Sequence, residues 1–173
     1  MSAAFFRLEP LHSEHDRKSF RCGEGTLDRY FQTQATQDIR RRIANCFVAV
    51  EAVTGQVAAY YTMSAASIPL ADLPAEETKR LPRYPTLPAV RIGRLAVDAR
   101  FQGRGLGAAL LADAAQRTMQ APAAAFALLV DAKNDGAVAF YRRFGFRPLA
   151  SRPMALFLPI ATAQKALVRE TAH

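Results

Sequence analysis

Cysteine is nearly absent, with two in 173 residues. Cys22 and Cys46 lack the paired spacing of a metal-ligand set and make no disulfide framework. They read as reduced, partly buried thiols of a cytoplasmic protein, and no metal is expected. Long apolar runs are missing too. The longest, residues 121–130, spans about ten residues, roughly half of what a membrane-crossing helix requires. The start, "MSAAFFRLEP", has no basic opening, and Arg7 and Glu9 interrupt it before a signal-peptide core could form. Neither secretion nor a membrane partner is expected. Acidic residues are also short: 15 against 23 Lys and Arg, for a formal net charge of +8. That excess calls for an anionic partner, and nucleic acid, a phosphorylated cofactor or an acidic protein would each satisfy it.

What remains is the composition of an ordinary globular protein, half hydrophobic and 22% charged. The length suits one core, and no repeat, linker or low-complexity tract divides it. The expectation is one domain over 1–173. "FFRLEPL" reads as a first strand ending at Pro10. A helix follows from about Thr26 as N-cap, with Asp28 in its positive first turn and Leu27, Tyr30, Phe31 and Gln34 on one face. "CFVAVEAVTGQVAAYYTMSAAS" reads as two strands joined at Thr54-Gly55. From Ser67 to Pro88 periodicity fails over five prolines, with a short helical turn near residues 75–80. So long a connection is either functional or a surface excursion without a role. "AVRIGRLAVD" returns to strand, "LGAALLADAAQRTMQ" is helical with Leu106, Leu110, Leu111 and Ala114 on its apolar face, and "AAAFALLVDA" is a buried strand. "NDGAVAFYRRFGF" is a short helix capped by Asn134 and stopped by Gly145. "RPMALFLPI" is a last strand, and residues 161–170 form a terminal helix. An early hairpin and a central β-α-β unit make the class α/β.

The central unit holds the chemistry. In "RLAVDARFQGRGLG", three glycines within five residues separate a strand from a helix. Free N–H groups and the helix dipole at such a junction favour an anion, and glycine lets it approach. A tight strand-to-helix turn explains the same residues without a ligand. The spacing G-x-G-x-G fits neither the dinucleotide fingerprint nor the P-loop.

Here the sequence resembles a known family. "QGRGLG" matches the Q/R-x-x-G-x-G/A signature of the GNAT acetyltransferase superfamily, with Gln102, Gly105 and Gly107 in the signature positions. "RLAVD" before it and "NDGAVAFYRRFGF" after it match that family's other landmarks. The order from "FRCGEGTLDRYFQTQATQDIRRR" through "YYTMSAAS", "LPRYPTLPAVRIGRLAVD" and "FYRRFGFRP" is similar to one branch, the acetyltransferase toxins of toxin–antitoxin pairs that act on aminoacyl-tRNA. The likeness covers about residues 5–160. It implies the GNAT fold, a mixed, mostly antiparallel central sheet flanked by helices and splayed by a β-bulge where acetyl-CoA lies between "RIGRLAVD" and "FALLVDA". It further implies that Leu95, Ala96 and Val97 pair with the pantetheine arm as an added strand. Gln102, Gly103, Arg104, Gly105, Leu106 and Gly107 would hold the pyrophosphate, with Arg100 and Arg104 meeting phosphate charge. Asn134 matches a pantetheine contact, and is equally a helix cap. Phe140 is placed with the cofactor residues.

Tyr141 matches the tyrosine that this superfamily uses as general acid beside the sulfur. Its helical spacing with Ala137, Phe140 and Phe144 also fits a core residue. No acid precedes Asp98 on its strand, and Glu51 lies at a strand end. A lysine amine of pKa ~10.4 is almost wholly protonated at neutral pH and benefits from a base, whereas an α-amine near ~8 has a substantial neutral fraction and an aminoacyl ester lowers it further. The missing base therefore suits aminoacyl-tRNA, unless water relays the proton. Arg40, Arg41, Arg42, Arg83, Arg91, Arg94 and Arg142, with Lys79, Arg80 and Arg143, are the candidates for gripping its phosphates. The Arg40, Arg41 and Arg42 run also fits a solvated helix C-terminus. The resemblance implies an antitoxin of ribbon-helix-helix type, operator DNA reached through it, and a homodimer. Two other readings stay open: an acetyltransferase for a small amine or protein N-terminus, and a non-catalytic CoA-binding subunit.

Overall fold

The computed structural model describes residues 5–171, with side chains as far as residue 166. Its seven strands form one mixed, mostly antiparallel sheet in the order β1-β2-β3-β4-β5-β7-β6, flanked by helices. The chain divides into two compact units, residues 5–64 with 93–113 and residues 65–92 with 114–171. It crosses between them inside β3, β4 and α4.

In the first unit β1 (Phe6–Pro10), β2 (Asn45–Glu51) and β3 (Val57–Pro69) form a meander. Phe6 pairs with Glu51 and Asn45 with Met63, and the β2–β3 register shifts between Ala49 and Val50. Cys46, Val48 and Val50, every second residue of β2, enter a core with Phe20, Phe31, Tyr60 and Ala96. Phe31 stacks on Tyr60 at 4.4 Å, and Phe20 meets both rings edge-on. Burial pushes the Cys46 thiol up to about 12 and, aided by Asp28, the Cys22 thiol up to about 11. Both are free, protonated thiols at neutral pH.

The helical run over this core is α1 (Gly25–Arg29), a π turn (Tyr30–Gln34) and α2 (Ala35–Arg40). It corrects the expected start. Glu24 is the cap residue, its carbonyl accepting from the Asp28 N–H at 3.0 Å, so Thr26 already lies inside the helix. Asp28 is buried rather than exposed at the dipole, and its carboxylate accepts the Cys22 N–H at 2.9 Å.

In the second unit β4 (Thr86–Val97) pairs in parallel with β5 (Ala127–Asp131), Ala89 opposite Ala127 through Ile92 opposite Val130. The ladder ends there. The remaining residues of β4, 93–97, have no partner in that ladder, and the β2–β3 register carries an irregularity between Ala49 and Val50. β7 (Ala155–Pro159) pairs antiparallel with β5 and with β6 (Arg147–Pro148), a two-residue strand that carries no periodicity to predict it. α4 (Leu106–Gln120) buries Leu106, Leu110, Leu111 and Ala114 as expected, and α6 (Ile160–Thr171) follows β7. The proline-rich connection is shorter than expected, because β3 and β4 take up both ends and leave residues 70–85. It holds a 3₁₀ turn (Leu70–Asp72) and α3 (Ala75–Thr78), and is closed by the Leu70 N–H on the Pro85 carbonyl at 2.9 Å. Leu73 enters the core with Leu129 and Phe157, while Asp72 accepts from Ala150 N–H and the Ser151 hydroxyl. The connection is therefore packed down rather than loose.

Candidate functional site

The glycine loop lies in the first unit. Gly103 and Gly105 have φ of +81° and +77°, the left-handed region that other residues reach only at a cost of about 1–2 kcal/mol. A Cβ on either would meet nothing within 4 Å, so the space over both is open. The loop leads into α4, whose first N–H groups need partners from outside the helix. Open backbone at a helix start is a cradle for phosphate oxygens. Gly105→Ala is expected to raise the KM for a CoA substrate by about tenfold or more through the φ strain alone. Unchanged saturation kinetics would contradict the cradle.

The signature side chains turn inward to build the loop. Gln102 Nε2 donates to the carbonyls of Val97 at 3.0 Å and Cys22 at 3.1 Å. Asp98, 1% exposed, accepts the N–H of Arg21 and of Arg100 and both Nε and Nη2 of Arg100, at 2.9–3.1 Å. Ala99 N–H returns a bond to the Arg21 carbonyl at 2.8 Å. The segment 20–22, distant in sequence, thus clamps the end of β4. Arg100, expected on phosphate, spends its fork on Asp98. Arg104 lies 3.8 Å from Glu51 and over the Phe101 ring. Leu95, Ala96 and Val97 fall past the end of the β4–β5 ladder, with the Ala96 side chain in the core. Asp98 and segment 20–22 were missed as functional residues; an acid at the end of the strand before the glycines was the available signal.

Burial works to raise the Asp98 carboxyl, but its donors outweigh that and hold it below the ordinary range. The Tyr30 hydroxyl does the same for Asp38, and His15 for Glu9. Carboxyls with lowered folded-state values contribute stability that is complete above the ordinary range and lost as pH falls through the folded value. The melting temperature is expected to hold between pH 7 and 5 and drop below about pH 4. A maximum near pH 3 would refute this.

In the second unit α5 (Asp135–Arg143) carries Tyr141. Asn134 caps it, its side-chain oxygen accepting the Ala137 N–H at 2.8 Å, while its amide N–H groups have no partner among the described residues. Cap and ligand contact are therefore compatible. The helix ends in a Schellman motif: Phe146 N–H bonds the Tyr141 carbonyl, Gly145 N–H bonds that of Arg142, and Gly145 has φ +94°. The Tyr141 ring packs against Phe140 and Phe146 at 5.3 and 5.4 Å. Burial pushes its phenol up to about 12, so it stays protonated. Its hydroxyl has no hydrogen-bond partner among the described residues.

The expected arginines fall into two kinds. Arg91 pairs with Asp131, and Arg94 lies over the Tyr30 ring. Arg40, Arg41 and Arg42 at the end of α2, Arg83 in the connection and Arg142 on α5 are exposed and make no ion pair among the described residues. Glu9, His12 and His15 converge within 4.8 Å, the one grouping of metal-ligand type among the described residues. Nδ1 of each histidine accepts a backbone N–H, so the proton of the neutral ring sits on Nε2, and that of His15 goes to Glu9 at 3.0 Å. This is a hydrogen-bonded clasp, ill suited to coordination through Nε2. No helix among the described residues is long and apolar enough to cross a membrane.

The family model "Acetyltransferase (GNAT) domain" matches residues 80–155. The chain is 36% identical over 151 residues to a tRNA-acetylating toxin of Mycobacterium tuberculosis, covering 86% of this chain and 89% of that protein. Among solved structures it is similar to AtaT complexed with acetyl-methionyl-tRNAfMet, with a TM-score of 0.84 and 30% identity over 94% of this chain and 99% of that one. It is also similar to a mutant AtaT toxin bound to the C-terminus of the antitoxin AtaR and acetyl-CoA, with a TM-score of 0.78 and 27% identity, covering 94% and 98% of the two chains.

Proposed function

The chain belongs to the GNAT acetyltransferase family, and from that premise we propose that it is an acetyl-CoA-dependent N-acetyltransferase toxin that caps the α-amine of aminoacyl-tRNA, stops translation and is neutralised by a cognate antitoxin. Acetyl-CoA supplies an activated acetyl group. The loop 102–107 holds its pyrophosphate, and Leu95, Ala96 and Val97 pair with its pantetheine arm, beside Asn134 and Phe140. Tyr141 gives its hydroxyl proton to the departing sulfur as the acetyl–nitrogen bond forms and the acetyl–sulfur bond breaks. The proton lost from the amine leaves to water.

The observation that carries the reading is Tyr141: a phenol kept protonated, with a hydroxyl that bonds no described residue. Asp98, the first acid after the cofactor strand, is spent on Arg21 and Arg100 and is no candidate base. That supports an acceptor which is already neutral near pH 8, an α-amine, over a lysine side chain. The exposed arginines Arg40, Arg41, Arg42, Arg83 and Arg142, with Arg91 and Arg94, grip the acceptor's phosphates. We take 1–173 as one catalytic domain, since each crossing between its units lies inside a helix or strand. A ribbon-helix-helix antitoxin, operator DNA bound through it, a homodimer and a cytoplasmic location complete the proposal.

The test offers labelled acetyl-CoA with charged tRNA, uncharged tRNA, polyamines and ribosomal proteins in parallel. Label is expected on charged tRNA alone, declining steeply as salt rises. Label on polyamine or protein, with none on charged tRNA, would overturn the reading in favour of a small-amine or protein acceptor.

A further inference from the structure

Arg94 is held differently from Arg91 and Arg100. Arg100 has given Nε and Nη2 to Asp98, and Arg91 has given one Nη to Asp131. The Arg94 guanidinium instead lies 3.6 Å from the centroid of the Tyr30 ring. A cation on a ring face is held without using any of its N–H groups. None of the five Arg94 donors bonds a described residue. The group is partly buried, fixed in place and still has its whole fork to offer.

The seat beneath it is built with care. Tyr30 is 7% exposed, and its hydroxyl donates to Asp38 Oδ2 at 2.8 Å. Gln34 Nε2 holds the other oxygen of that carboxylate at 3.2 Å. Tyr30 and Gln34 are the two ends of the π turn. Residues eight apart in a regular α-helix lie about 80° apart around the axis. The wider π turn takes up an extra residue and brings Tyr30 and Asp38 toward one face. The turn gives up regular helix geometry, and the Tyr30–Asp38 bond under Arg94 is what it secures.

We propose that Tyr30 and Asp38 are positioning residues that aim the Arg94 fork at a phosphodiester of the acceptor's single-stranded 3′ end. The proposal rests on the reading of aminoacyl-tRNA as acceptor. A planar guanidinium matches two non-bridging phosphate oxygens, which a lysine cannot do. The cofactor's own phosphates are the other source of that chemistry. Arg94 lies about 10 Å back along β4 from Val97, after which the glycine loop begins, so the pyrophosphate falls to the loop.

Steady-state kinetics with charged tRNA and with acetyl-CoA as the varied substrate test this. Arg94→Ala is expected to raise the KM for charged tRNA about tenfold, leave that for acetyl-CoA unchanged, and lower the salt slope by about 0.7. Arg94→Lys should not restore the KM. Tyr30→Phe keeps the ring and should stay within about threefold, whereas Tyr30→Leu should match Arg94→Ala. Asp38→Asn, which keeps the shape of the seat, should raise the tRNA KM by about threefold and guards against Tyr30→Leu failing to fold. A tRNA KM and salt slope that Arg94→Ala does not change would overturn the proposal. A rise in the acetyl-CoA KM instead would assign the fork to the cofactor, and a loss confined to antitoxin binding would assign it to a protein carboxylate. Wild-type protein inactive on charged tRNA would locate the failure in the acceptor reading.

Discussion

Tyr141→Phe is expected to lower kcat by about 10²–10⁴-fold while the KM for acetyl-CoA stays within about twofold. The two parts of that result follow from different features of α5. The ring sits between Phe140 and Phe146, and the Schellman motif at Gly145 fixes the helix end from which it projects. Phenylalanine keeps all of this. What it removes is a hydroxyl that bonds no described residue, so no structural bond is lost with it. Stability should be unchanged within about 0.5 kcal/mol. Because burial pushes the phenol up to about 12, the wild-type rate should rise to about pH 8 as the amine loses its proton and then stay level to pH 10. A variant that keeps its full rate would remove Tyr141 from the chemistry.

Asp98→Ala is expected to cost about 3 kcal/mol of stability and to raise the KM for acetyl-CoA about tenfold. The carboxylate is 1% exposed and serves two backbone N–H groups and the Arg100 fork. Removing it takes from the Arg21 and Arg100 N–H groups the acceptor that they share. A bond to a charged group contributes about 1.5–3 kcal/mol, so the loss should dominate despite the partial exposure of Arg100. The KM effect has a separate cause. Asp98 ties segment 20–22 to the strand end just before the glycines, and Gln102 makes the second tie to Cys22. Without the first, the cradle loses its brace. Denaturant midpoints with an unchanged m-value read the stability, and saturation curves read the KM. A variant as stable as wild type, with unaltered acetyl-CoA kinetics, would mean that the clamp does neither job.

The parts of this protein that were legible in advance obey local rules. Leu106, Leu110, Leu111 and Ala114 repeat at helical spacing, and all four are buried in α4. Asn134 caps α5 and Gly145 ends it through bonds that span three to five residues. The glycines at 103 and 105 announce positive φ because little else tolerates it. Start and stop of the first helix were less legible, since Glu24 caps it through its backbone alone and the π turn leaves no signature in residue types.

The sequence by itself determined the class of fold, the strand–glycine–helix turn and the short helix that carries Tyr141, because each depends on neighbours within one turn or one strand. The allotment of the charged side chains was decided by the tertiary structure. Arg100 and Arg94 both read as free cations for phosphate; one is bound to Asp98 and the other lies on a tyrosine ring with its fork unspent. Asp98 meets Arg21 across 77 residues and Gln102 meets Cys22 across 80. Charge carries no periodicity, and its partner is chosen by which segments the core brings together. Only the folded chain therefore separates the arginines bonded within it from those that bond no described residue.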